Sequence, residues 1–238
     1  PRAAHIDHEI VRIFQELGVA DDVMATTQRA TRYDFLTANG EVLLRFEGHD
    51  RIGPGGWPAA NMIHQPSIEA TLRRAAAQQE GFALKAGWTW LSCEQAAGLV
   101  ISKAQTPEGE RTIHSRFVVG CDGARSPVRT AAGIDFDDLQ FDEPWLVVDV
   151  LVNDQGLAKL PRTSVQYCEP QRPCTLVIGP KNHRRWEISL KPGEDPREAA
   201  TVEGTWKLLS RWLTPEDGEL WRQASYRFHA LVAADWRR

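Results

Sequence analysis

The period of the apolar residues changes several times along the chain, and each change predicts an element. Ile6, Ile10, Ile13, Phe14 and Leu17 recur at helical spacing, with Asp7 set to cap the start and Gly18 to stop the end. Alternation then takes over: residues 33–37 and 42–46 flank Asn39-Gly40, which predicts a hairpin. Residues 53–58 are too rich in Pro and Gly for regular structure. A second helix begins at Pro66, carries Ile68, Leu72 and Ala75 on one face, and ends near Gly81. Strands are expected at 83–85, 88–91, 99–102 and 112–120, with a turn at 106–109. Within the last of these, Phe117-Val118-Val119-Gly120 has no polar face and predicts a strand buried on both sides, as in a parallel sheet. Ser126, Pro127 and Gly133 then mark a short helix. Strands follow at 145–152, 164–168, 175–178 and 185–190, then a helix carrying Trp206, Leu209 and Leu213. In the last strand, 224–231, Tyr226, Phe228 and Ala230 alternate with Arg227, His229 and Leu231.

Helix-plus-parallel-strand pieces thus interleave with antiparallel ones. The expected fold class is α/β plus α+β. Residues 1–28 and 60–139 form a partial Rossmann-like domain, and 29–59 with 140–238 form an antiparallel β-sheet domain with covering helices. Composition changes this picture little. With 42% hydrophobic and 25% charged residues the chain is globular, and its net charge of -4 without a basic stripe argues against a nucleic-acid partner. No apolar run reaches the roughly 20 residues that span a bilayer, so no membrane partner is expected. The start, Pro1-Arg2-Ala3-Ala4, has no initiator Met and no apolar signal core. Cys93, Cys121, Cys168 and Cys174 form no C-x-x-C pair, which predicts reduced thiols, no metal site and a cytoplasmic location. Nine Trp residues suit core filling or pocket walls.

The most specific segment runs Gly120-Cys121-Asp122-Gly123-Ala124-Arg125-Ser126-Pro127-Val128-Arg129. An apolar run ends in an acid and a glycine, a tight turn follows, and a capped helix begins. At the carboxyl end of a parallel strand such a turn binds ligands: helix N–H groups and Arg129 meet phosphate, and Asp122 accepts from a ribose hydroxyl. From the residues alone the plainer reading comes first, a strand-to-helix turn in which Asp122 only caps.

This segment resembles the Asp-Gly motif of the class A flavoprotein monooxygenases, the FAD-dependent aromatic hydroxylases, and within them the 3-(3-hydroxyphenyl)propionate hydroxylases. The stretches 2–7, His64-Gln65-Pro66 with Glu69 and Leu72-Arg73, 145–149, 183–187 and 228–238 are similar too, so the resemblance covers essentially the whole chain. It implies that Arg2 and Gln65 touch FAD, that Asp122 and Gly123 sit by its ribose and pyrophosphate where NAD(P)H is also handled, and that Arg129 shapes the same site. It also implies an NAD(P)H- and O2-dependent monooxygenase of the EC 1.14.13 type, in which a flavin hydroperoxide passes oxygen to a phenolic ring. The family's Gly-rich G-x-G-x-x-G turn is absent from the sequence, and its later Gly-Asp motif would follow Arg238. The chain therefore reads as an internal fragment, expected on its own to be inactive and colourless.

The antiparallel sheet is the expected wall of the substrate pocket, with Tyr167, Trp186, Ile188, Tyr226 and Phe228 as apolar lining, or as core filler between sheet and helices. No catalytic residue is assigned; His64 and His229 are the histidines nearest by motif context. The expected partners are a small aromatic substrate and O2, with a homodimer as the candidate assembly. Two other readings stand beside this one: a polyketide- or antibiotic-hydroxylating flavoenzyme of the same fold, and a non-catalytic module that binds aromatic ligands.

Overall fold

The computed structural model describes residues 3–238. The elements run β1 (His5–Asp7), α1 (His8–Glu16), α2 (Ala20–Met24), β2 (Gln28–Arg29), β3 (Arg32–Leu36), β4 (Val42–Glu47), β5 (Ala60–Met62), α3 (Gln65–Ala77), β6 (Thr89–Ala96), β7 (Leu99–Thr106) and β8 (Gly109–Ser115). They continue with α4 (Pro127–Ala131), β9 (Phe136–Val152), α5 (Asp154–Lys159), β10 (Ser164–Tyr167), β11 (Cys174–Ile178), β12 (His183–Ser189), α6 (Pro196–Ala199), α7 (Val202–Leu209) and β13 (Gly218–Ala233). Local chemistry sets several helix starts. The Asp7 carboxylate accepts from the amides of Glu9 and Ile10, both at 3.0 Å, and Asn153, Asp195 and Thr201 cap α5, α6 and α7 in the same way.

The chain divides into two compact units, residues 1–80 with 143–228, and 81–142 with 229–238. The first holds most of a large sheet of order β13-β9-β12-β11-β10-β3-β4. β9, β12, β11 and β10 pair antiparallel in succession, whereas β10 pairs parallel with β3, from Ser164 opposite Tyr33 to Tyr167 opposite Leu36. Strand alternation sorts its side chains strictly. Leu146, Val148 and Val150 of β9, Val165 and Tyr167 of β10, Leu176 of β11 and Trp186 and Ile188 of β12 are buried on one face, where Leu209 of α7 and Leu213 complete the core. Each such side chain contributes roughly 1.5–3 kcal/mol. The other face carries a different chemistry, described below. A second core, of Ile6, Val11, Val19, Val23, Ile63 and Ile68, joins α1, α2 and α3 to the small antiparallel sheet β1-β5-β2.

The second unit is built on the meander β6-β7-β8, whose buried residues include Ser102, Ala104 and Thr106, with α4 packed against β6. Trp90 Nε1 donates to Ser102 Oγ at 3.2 Å.

Several expectations need correction. Residues 83–85 form no strand, and Leu84 is exposed. The run at 117–120 is not a buried strand: Phe117 is 75% and Val119 80% exposed. An apolar run becomes a parallel strand only with neighbours on both edges and covered faces; among the described residues none pairs with it. In α1 it is Val11 that is buried, while Ile10, Ile13 and Leu17 are exposed. The compact units also cut the chain elsewhere than the expected domain boundaries, because 81–142 packs on itself.

Candidate functional site

In the second unit, the Asp-Gly turn owes its shape to two glycines. A Cβ on Gly120 would lie 3.0 Å from side-chain atoms of Val128, so the backbone crosses the start of α4 in close contact. Gly123 has φ +82°, the left-handed region that glycine enters without strain. Asp122 Oδ2 accepts from the Val128 amide at 3.1 Å, and Ser126 Oγ accepts from the Arg129 amide at 2.9 Å. Hydrogen bonding from Ser126 and the Val128 amide holds the Asp122 carboxyl below the usual carboxylate range. Asp122 therefore does cap, yet it stays ionised and solvent-exposed, able to accept further from a ribose hydroxyl. In that respect the turn fits an FAD nucleotide. Arg129 is drawn inward: its guanidinium donates to the Ile134 carbonyl and to Thr130 Oγ1, and lies 4.0 Å from the centre of the Phe136 ring. His229 sits in this unit beside Asp142, at 3.8 Å.

In the first unit, Gln65 opens α3 and ties it to the incoming chain. Its Oε1 accepts from the Ala3 amide at 3.1 Å and its Nε2 donates to Glu69 at 2.7 Å. Arg2 lies outside the described residues.

Tyr167 and Trp186, expected on the pocket wall, point the other way. Trp186 is 0% exposed within the core, and Tyr167 accepts a hydrogen bond from Trp212 Nε1 at 3.1 Å beneath the sheet's helical cover. The parity of their strands decides this: Ile188 shares it, and all three face α7 and its following turn. Tyr226 and Phe228 are oppositely placed. Their rings stack at 6.4 Å, and Phe228 meets Trp145 edge-on at 6.3 Å.

Trp145, Val147 and Asp149 of β9 share the face opposite the helices, and register extends it across the sheet. Val147 lies opposite Glu187, Glu187 opposite Thr175, Thr175 opposite Gln166, and Gln166 opposite Phe35. At its base Asp149 is fully buried among basic side chains: Arg185 Nε donates to it at 2.8 Å, Arg222 at 3.3 Å, and His183 Nε2 lies 2.8 Å away. Burial opposes the charge on Asp149, but the bonds and charges of His183 and Arg185 outweigh it and hold the carboxyl down to about 2. His64 and Trp221 close over this network, their rings 5.1 Å apart and each 5.9 Å from that of His183. Burial, with the neighbouring His183, keeps the His64 pKa low.

Further along the same face Thr175 Oγ1 donates to Gln166 Oε1 at 2.6 Å, which Tyr33 also approaches at 3.5 Å. Burial pushes the Tyr33 hydroxyl up to about 12. It likewise raises Glu187, with Arg185 pulling the other way. This face combines flat aromatic walls with a polar floor, the chemistry that holds a small ring by stacking and orients it by hydrogen bonds. Sequence reasoning missed Tyr33, Gln166, Thr175 and Glu187. The signal lay in β12, where Arg185 and Glu187 alternate with Trp186 and Ile188.

The sequence pattern of the FAD binding domain family matches residues 1–228, and the chain belongs to that family. Among its relatives, the chain is 37% identical over 240 residues to "Probable NADH-specific resorcinol 4-hydroxylase" of Rhodococcus jostii, covering 100% of this chain and 44% of the relative. It is 32% identical to 3-(3-hydroxy-phenyl)propionate/3-hydroxycinnamic acid hydroxylase 2 of Burkholderia vietnamiensis, covering 98% and 42%. The chain thus spans less than half the length of the curated relatives it matches. The fold is that of p-nitrophenol 4-monooxygenase PnpA from Pseudomonas putida, with TM-score 0.88 at 19% identity over 100% of this chain and 60% of that one. Aklavinone-11 hydroxylase, solved with FAD and aklavinone, matches at TM-score 0.80 and 23% identity, covering 100% and 48%.

Proposed function

We propose that the protein is an FAD-dependent hydroxylase of small phenolic rings that uses a reduced nicotinamide and O2. The observation that carries this reading is the sheet face of Trp145, Thr175, Glu187, Tyr226 and Phe228 in a chain of the FAD-binding family. Arg2, Gln65, Asp122, Gly123 and Arg129 belong to the flavin side of the proposal, Asp122 as acceptor for a ribose hydroxyl. Tyr226 and Phe228 stack on the ring, while Tyr167 and Trp186 back the sheet from the helical side. When bound, FAD supplies the redox chemistry. These residues orient the ring, take its hydroxyl into a hydrogen bond and keep water away. NADH as donor and a resorcinol- or hydroxyphenyl-type substrate follow the named relatives. Among the described residues no helix is long and apolar enough to cross a membrane; a cytoplasmic location and a homodimer are further parts of the proposal to test.

The visible spectrum of the purified whole enzyme tests the flavin side. Oxidised-flavin bands are expected, with retention lowered in Asp122→Asn. A colourless enzyme that gains no bands on adding FAD contradicts the proposal.

A further inference from the structure

The polar face of the sheet offers several oxygen atoms to a bound ring, and they are not equivalent. Asp149 is saturated by Arg185, Arg222 and His183. Gln166 Oε1 is occupied by Thr175 and approached by Tyr33. Tyr33 keeps its own proton far above neutral pH. Glu187 differs from all of these. It projects from the middle of β12 toward the same side as Arg185, between Thr175 on β11 and Val147 on β9. Among the described residues its half-buried carboxylate makes no hydrogen bond and no ion pair. An ionised carboxylate placed there without a protein partner keeps its acceptor sites open to a ligand hydroxyl.

We propose that Glu187 is the acceptor for the ring hydroxyl of the phenolic substrate and takes up its proton. The inference rests on the hydroxylase reading above. In the step, the phenolic O–H bond breaks, the proton moves to a Glu187 carboxylate oxygen, and the electron pair stays on the ring oxygen. The resulting phenolate is the more electron-rich ring. Position and environment suit the role. Burial raises the carboxyl above its ordinary range, which brings its basicity nearer to that of a phenol; Asp149 on β9 adds to the effect and Arg185 on β12 restrains it. Tyr33 on β3 and Cys174 on β11 are the other titratable groups that feel its charge. Because the acceptor works only when ionised, turnover and phenol binding both rise as pH climbs through its pKa.

The test uses the FAD-loaded holoenzyme, phenol as the probe, and the variants Glu187→Gln and Glu187→Asp. Glu187→Gln keeps an acceptor oxygen and cannot take the proton. It is expected to bind phenol, followed by tryptophan fluorescence, with no acid limb in the pH profile, and to lose about 100-fold in kcat/KM. Glu187→Asp restores the acid limb, which a purely structural role would not do. A Glu187→Gln enzyme with the parent's kcat/KM and pH profile overturns the inference while leaving the hydroxylase reading intact. If the parent turns over no phenol, the hydroxylase reading fails. In that case phenol binding whose pH dependence disappears in Glu187→Gln still supports the acceptor, and pH-independent binding in the parent overturns it as well.

Discussion

At the scale of single residues, Asp149 has the largest energetic stake. Its carboxylate is fully buried and shared by Arg185, His183 and Arg222. Removing one member of a buried charged set strands the others, so Asp149→Asn is expected to destabilise the fold by about 3–5 kcal/mol, measured by urea unfolding. The pH dependence has a definite sign. The folded carboxyl sits at about 2, below its ordinary 3.8. Its contribution is therefore present above pH 4 and is lost as pH falls through the folded value. Unfolding free energies between pH 5 and pH 2 should decline in the parent, and the decline should be shallower in Asp149→Asn. Equal slopes would show that Asp149 is not the group responsible. The two aromatic sets separate in the same way. Trp186→Ala leaves a core cavity and should cost about 3–5 kcal/mol. Phe228, 41% exposed, should be removable with little loss of stability but weaker binding of an aromatic ligand, read by fluorescence titration.

At the scale of elements, much of the large sheet was legible because alternation survives in β10, β11 and most of β12, while Asn39-Gly40 marks the β3–β4 hairpin. The helix starts at Asp7 and Ser126 were legible from side-chain chemistry alone. The face of each strand was harder. Aromatic residues suggested a ring pocket wherever they occurred, yet Tyr167 and Trp186 share parity with Val165 and Ile188 and so join the core. The polar residues of the same strands, Gln166, Thr175 and Glu187, were passed over because a polar residue within a strand usually marks a solvated face. Short elements such as β2, β5 and α6 carry too few residues for any period to show. At 117–120, hydrophobicity was mistaken for burial: the run is apolar, but among the described residues no strand lies beside it. Ser126 gives an element-level test. Ser126→Ala removes the bond to the Arg129 amide and should cost about 1 kcal/mol, seen as faster amide exchange in α4. Unchanged exchange would mean that Asp122 alone holds the turn.

At the scale of the molecule, two compact units place their chemistry differently. One carries the Asp-Gly turn, and the other the aromatic and polar sheet face. The resemblance read from residues 120–129 led to the family that residues 1–228 also match. The sheet face proposed to hold a ring was not legible there, because its side chains come together from six strands far apart in sequence, β3 and β9 to β13. The most direct measurement is an account of oxygen and reducing equivalents in the FAD-loaded enzyme with a phenol present. The proposal expects hydroxylated ring to form in step with the NADH and O2 consumed, with little hydrogen peroxide. NADH consumption that yields only peroxide for every phenol tried, or no consumption at all, would contradict it.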